Sequence, residues 1–408
     1  MRVLFLARGL PFPSDTRAGA QSLQALRYLG REHETHFIAF SRRDADAALA
    51  RMAQPLCASV SLVPMRASLP RDAASLTSSL AQGDSYLLRR EHTQAMARAV
   101  NETLRRERIE AIHVDRVGMA QFIPPTWNRP VIVDGRSTRW TVATAASEHT
   151  NNPARRWLLR REARLLRGME AMACRRAVVT LAGSEQERAT IEHAIGTPWT
   201  IHIVPLGVDL AEFEAHWARR EPAHTQLLTM GSLALPHESA ALADFLRGVY
   251  TILRLGEPDL RYDVVARRPT HRLRAQAAHE PHVTLHGESG EISNLWQRAG
   301  VYLAPVADAE APVRILQALA AGVPVVATPA ACADLTVRHE THLLLADSPA
   351  EWIARVRRVL YDPNFTARMI LCGRQLIEQR YDTAVALRGL GAAYEHAVVG
   401  ASRCVLCS

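Results

Sequence analysis

At 408 residues, with 48% hydrophobic and 22% charged side chains, the chain is long enough for two domains with cores of their own and too apolar to be disordered. Its 49 basic residues are all arginine and leave a net charge of +8, which suits phosphorylated ligands or an anionic lipid surface; without a helix-turn-helix, zinc-finger or aromatic RNA-binding pattern, nucleic acid is not expected as a partner. No run of 18 apolar residues and no charged leader are seen, and the six cysteines are scattered, so the expectation is a cytoplasmic protein with reduced thiols, the terminal CVLC being a lone pair without a second pair nearby.

The first half alternates buried strands with amphipathic helices. RVLFLAR reads as a strand, the loop LPFPSDTRAGAQ leads into a helix over 20–31, ETHFIAF is a second strand, 44–52 a helix and SVSLVPM a third strand. The polar stretch 67–90 is expected to be a long loop with helical pieces, followed by a helix over 91–107. The strand EAIHVD comes next. Asp115 at its carboxyl end either handles the proton of a substrate hydroxyl or caps the helix GMAQFI that follows, while His113, alternating with apolar neighbours, packs in the sheet. PVIVDGRSTRW ends another strand with Asp134 and Arg136; Arg136 and Arg139 either contact a substrate phosphate or are solvated. A helix over 153–175 has leucines and alanines on one face and arginine clusters on the other, a pattern that suits lipid headgroups or plain solvent. In AVVTLAGSEQER, Ser184 and Glu187 are spaced as a capping box.

The second half repeats the theme. QLLTMGSLALPHESAAL is strand, glycine turn at Gly231, loop and helix, the layout of a phosphate-approach site, although its loop carries His237 and Glu238 rather than arginine. Arg267 and Arg268 in YDVVARRPT are then the nearest cations, for phosphate or as a basic surface turn. HVTLHGESGEISNLWQRAGVYLAPV holds Gly287 after a strand and Trp296 in a helix, where packing is expected of it. Residues 301–335 read strand, acidic small-residue loop, helix from about 312, the breaker Gly322, and the strand VPVVAT. Ligands of open parallel sheets lie beyond the carboxyl ends of the strands, so this acidic loop is the expected anion site.

LQALAAGVPVVAT, together with AGAQ at 18–21, TIHIVPLGVDLAEF at 200–213 and GSLALPHES, resembles the signatures of the GT-B glycosyltransferases, above all the retaining family 4 with its LEAMAAGxPVVAT, GGAQ and VxVVPNGVDxxxF. The resemblance implies an α/β protein of two Rossmann-like domains facing across a cleft: 1–204 on the acceptor side, 205–380 for the nucleotide-sugar donor, and 381–408 as a helix crossing back plus a tail. It implies a metal- and cofactor-independent, retaining transfer of a sugar from a nucleotide diphosphate sugar to a glycan or polyprenyl-linked acceptor. The setting it implies is polysaccharide assembly at the inner face of the membrane, with the stretch 67–90 as an acceptor-side lid.

Carried over residue by residue, Gly19 approaches the donor, Gly287 neighbours the base, and Arg267, Arg268 and Arg314 face the diphosphate. Asp115 stands where the family has a histidine at the reaction centre, and Asp134 and Arg136 are on the acceptor side. The family's acid pair is altered here: position 309 is Ala with Glu310 one residue late, and Gln317 replaces the glutamate that holds the ribose. Ala18, Ala309 and Gln317 together keep open a weakened homologue serving as an assembly partner or scaffold, whereas no convincing residue set supports a sugar-nucleotide epimerase.

Overall fold

A computed structural model describes residues 1–12, 16–42, 46–65, 69–136, 139–148, 150–196, 199–218, 225–233, 235–267, 269–287 and 292–405. The chain divides into two compact units, Met1–Pro205 with Leu387–Ser408, and Leu206–Ala386.

The first unit is built on a parallel sheet of β1 (Arg2–Ala7), β2 (Glu34–Ser41), β3 (Ser59–Pro64), β4 (Ala111–Val114), β5 (Val131–Asp134), β6 (Val179–Ala182) and β7 (Ile201–Ile203), in the order β3-β2-β1-β4-β5-β6-β7. Strands covered on both faces read as unbroken apolar runs, which is why Val3 to Ala7 of β1 are fully buried. The strand order reverses between β1 and β4, and a crevice at the carboxyl ends opens at such a reversal. The helix after β1 spans Arg17–Glu32, starting earlier than its apolar pattern suggests because the Thr16 hydroxyl accepts the Gly19 N–H at 2.9 Å. Gly19 therefore sits in a helical first turn.

The stretch 67–90, expected as a long loop with helical pieces, carries two helices, Leu69–Gln82 and Tyr86–Glu91. A tertiary contact fixes the second: Glu162, buried on the Pro153–Arg176 helix, accepts from the Ser85 hydroxyl at 2.8 Å and the Tyr86 N–H at 3.0 Å. The next helix starts only at Gln94, capped by Thr93. Finally Arg388–Val405 packs Leu390, Ala393, Tyr394 and Ala397 into the core formed by Val3, Phe5 and Phe37. His113 lies in that core, its ring stacked at 4.7 Å on Phe5 and its Nδ1 2.9 Å from the Tyr394 hydroxyl, as the packing reading requires.

The second unit has β8 (Gln226–Gly231), β9 (Arg261–Ala266), β10 (Val283–His286), β11 (Val301–Ala304), β12 (Val325–Ala327) and β13 (Leu344–Leu345), all parallel, ordered β10-β9-β8-β11-β12-β13. Here the order reverses between β8 and β11. The core is aromatic on one side, with Phe245 edge-on to Trp352 at 4.9 Å and Tyr262 beneath Tyr250, its hydroxyl satisfied by Thr229 at 2.6 Å. Trp296 is buried against Tyr302 of β11, at 5.4 Å. Among the described residues no helix is long and apolar enough to cross a membrane.

Candidate functional site

At the β8/β11 reversal, four of the expected donor-side residues converge on the helix Ala311–Ala320. Glu310, at the start of that helix and 6% exposed, lies 3.5 Å from Arg267 Nη2 through Oε1 and 3.9 Å from Arg314 Nη2 through Oε2. Arg314 Nη1 in turn donates to Gln317 Oε1 at 3.0 Å. Spacing explains the last two contacts: 310, 314 and 317 fall on one face of a helix, three and four residues apart. Arg267 arrives from the end of β9. Gly287 follows β10, with open space where a Cβ would stand. Arg268 lies outside the described residues.

Asp308 is the residue that sequence reasoning passed over. Its Oδ2 accepts the Ser232 N–H at 2.7 Å and approaches the Leu233 N–H at 3.5 Å, while its Oδ1 accepts the Glu310 N–H at 3.0 Å. One carboxylate thus laces the glycine turn after β8 to the loop after β11. Gly231 is required there, since a Cβ would stand 2.4 Å from Asp308 Oδ2. Burial pushes the Asp308 carboxyl up, and the backbone N–H groups of Ser232 and Glu310 pull against it. Its acidity within ADAEAP was a visible signal, but the family pattern directed attention to 309 and 310.

In the first unit, Asp115 follows β4 at the β1/β4 reversal and is 5% exposed. It does not cap the next turn: Val117–Phe122 is a 3-10 helix that begins at Arg116 with no side-chain cap. Instead the Ser22 hydroxyl, from the helix after β1, donates to Asp115 Oδ1 at 2.6 Å. Burial raises the Asp115 carboxyl to about 6, against the pull of Arg116 and Ser22. A carboxyl poised near neutrality can accept or return a proton.

Asp134 and Arg136, the other first-unit candidates, are consumed by each other. Arg136 Nε donates to Asp134 Oδ1 at 2.9 Å and to Oδ2 at 3.0 Å, its Nη2 donates to Oδ2 as well, and its backbone N–H adds a fourth bond at 3.0 Å. At 3% exposure Arg136 is not solvated, which removes that alternative. Burial works to raise Asp134, but Arg136 outweighs it and holds the carboxyl below the usual range. The pair braces the end of β5. Glu187, read as the second half of a capping box, accepts the Gly183 N–H at 2.8 Å and pairs with Arg17 at 2.8 Å, tying the Gly19 turn to the end of β6.

A cavity of about 780 Å³ lies elsewhere in this unit, walled by Leu88, Val117, Ile123, Trp127 and Met172 and reaching the amino-terminal starts of β5 and β6 at Val131 and Val178. Glu170 in its wall is pushed up by burial to about 7. Asp115 and Asp134 do not line it.

Residues 224–362, which hold Gly231, Arg267, Asp308, Glu310, Arg314 and Gln317, match the family model described as glycosyl transferases group 1. No curated protein sequence matches. Among solved structures the chain is similar to HepE of Anabaena, in complex with UDP and glucose, at 14% identity and a TM-score of 0.66, covering 97% of this chain and 99% of that one. It is similar to the sucrose-phosphate synthase of Thermosynechococcus elongatus at 15% identity and a TM-score of 0.66, over 98% and 100% of the two chains. TarM of S. aureus, at 8% identity, has a TM-score of 0.68 over 96% and 98%. The chain therefore has the two-unit α/β fold of the GT-B glycosyltransferases, with its second unit matching the group 1 transferase model.

Proposed function

We propose that this chain is a glycosyltransferase that takes its sugar from a nucleotide diphosphate sugar. The observation that carries the reading is the convergence of Arg267, Glu310, Arg314 and Gln317 at the β8/β11 reversal, inside the stretch that matches group 1 glycosyl transferases. Transfer of a sugar from a diphosphate needs charge stabilisation of the leaving group more than a covalent partner, and two arginines beside a helix start supply it. HepE, a structural neighbour, was solved with UDP-glucose. In this reading Arg267 and Arg314 face the diphosphate, Gln317 bonds the ribose without charge assistance, and Asp115 handles the proton of the acceptor hydroxyl. Retention of configuration, a glycan or polyprenyl-linked acceptor, and work at the inner membrane face through the arginine side of Pro153–Arg176 complete it.

One observation favours a second reading, a weakened homologue acting as an assembly partner: Asp308 already occupies the N–H groups of the glycine turn that a donor phosphate would approach. Calorimetric titration with UDP, GDP and their common sugar conjugates separates the two. The transferase reading expects saturable binding of one nucleotide, weakened about tenfold in Arg314→Ala by loss of a charge-assisted contact. No heat with any of them at millimolar concentration ends it and leaves the assembly role.

A further inference from the structure

Three strand ends of the first unit each deliver an arginine to one carboxylate. Arg8 follows β1, Arg42 follows β2, and Arg139 opens the helix Arg139–Glu148 after β5. Glu91, the last residue of Tyr86–Glu91, receives Arg8 Nε at 2.8 Å and Arg139 Nη1 at 2.9 Å, with Arg42 Nη2 4.0 Å away. The Glu91 side chain is 5% exposed, whereas those of Arg8 and Arg42 are 40% and 45% exposed, so the node is anchored inside and open outside.

Among the described residues its charges do not balance: three guanidinium groups face one carboxylate, and the other described acids nearby are engaged differently. Asp46 takes the backbone N–H of Arg42 at 2.7 Å, Asp72 pairs with Arg90 at 2.9 Å, and Glu170 takes the backbone N–H of Arg139 at 3.0 Å. Burial first, then Arg8, pulls Arg42 below the usual arginine range, and burial does the same to Arg139. Like charges held this close are destabilising until an anion joins them.

We propose that Arg8, Arg42 and Arg139 bind a phosphate group carried by the acceptor. The inference rests on the transferase reading for the word acceptor, though not for the anion. A phosphate fits better than a carboxylate: three arginines from three directions match an anion with three free oxygens, and Glu91 already supplies the carboxylate. The place fits as well, since ligands of open parallel sheets bind at the carboxyl ends of the strands, where all three arginines stand. Of the two cations the sequence nominated for this task, Arg136 is spent on Asp134, while Arg139 stands in this node beside Arg8 and Arg42.

The test is calorimetry on the full chain at low salt, with UDP saturating so that anion sites of the second unit are filled. Glycerol 3-phosphate and decyl phosphate below its micellar concentration are the probes. Saturable binding that weakens about tenfold in Arg42→Gln, and further in Arg8→Gln with Arg42→Gln, is expected from losing one and then two charge-assisted contacts, as is weakening with added salt. Arg42 is the outermost of the three, so its substitution leaves the inner pairs and the fold intact, and UDP affinity stays unchanged. Tighter binding of decyl phosphate marks a lipid-borne phosphate, and equal binding marks a sugar or glycan phosphate; both support the site. Absence of saturable phosphate binding in a protein that takes up UDP, or binding indifferent to both substitutions, overturns it. If UDP itself does not bind, the donor reading falls, and the same titration without UDP still decides whether the arginines hold phosphate.

Discussion

Asp115 and His113, two residues apart at the carboxyl end of β4, are shifted by the same burial in opposite senses with respect to pH. The Asp115 carboxyl is raised to about 6, so the folded chain holds its proton more tightly than the unfolded chain, and stability falls as pH rises from about 4 to 6. The His113 imidazole is lowered to about 4, burial being the first cause, so stability falls as pH drops from about 6.5 to 4. Each shift is worth roughly 3 kcal/mol at one unit per 1.4 kcal/mol, and the two slopes nearly cancel. Asp115→Asn removes one of them. Denaturant unfolding of that variant is expected to show stability dropping on acidification from pH 6.5 to 4 by about 2–3 kcal/mol more than the parent does; equal pH profiles would show that burial does not govern these groups. If Asp115 also takes the acceptor proton, the rate has an acid limb near pH 6 that the variant lacks. At this scale the sequence named Asp115, Asp134 and Arg136 by their places at strand ends. It could not show that Arg136 turns back onto Asp134, because a two-residue spacing leaves the direction of both side chains open.

Strand–turn–helix units of the second domain were readable from apolar runs and breakers, and Gly231 was legible as a turn glycine. Its close approach to Asp308 was not, since 77 positions separate the two residues and only the parallel alignment of β8 with β11 brings them together. Gly231→Ala is expected to push Asp308 off the Ser232 N–H, destabilising the second unit by about 1–3 kcal/mol in thermal or denaturant unfolding, the usual range for forcing a methyl group into filled space. A fall in nucleotide affinity should accompany it, and full retention of both would show that the turn has slack. In the stretch 67–90 helical pieces were expected, but where they begin was not legible, for a related reason. Its polar residues mark no boundary, and Glu162, which is 77 positions from Ser85, anchors a helix start there.

The two units fold around separate sheets, and the chain's last helix belongs to the first of them. Removing residues 388–408 uncovers Val3, Phe5 and Phe37 and takes the Tyr394 hydroxyl from His113. Scanning calorimetry should then show the transition of the first unit lowered by well over 10 °C or lost, from several buried side chains at about 1.5–3 kcal/mol each, while that of the second unit is unchanged. A single shared shift of both transitions would contradict the division. Gly389 adds a local check on the same contact, for a Cβ there would stand 2.2 Å from the Ile203 carbonyl oxygen. By itself the sequence determined the alternation of parallel strands and helices, the breakers between them, and the glycine- and acid-bearing ends where ligands belong, because these follow from local periodicity and turn chemistry. Only the tertiary structure decided which charges meet: Asp308 on the glycine turn, Arg136 on Asp134, three arginines on Glu91. Asp308 and the glycine turn, and Glu91 and its arginines, come from segments far apart that strand order carries together, while Arg136 and Asp134 share one strand end and meet only through the direction their side chains take.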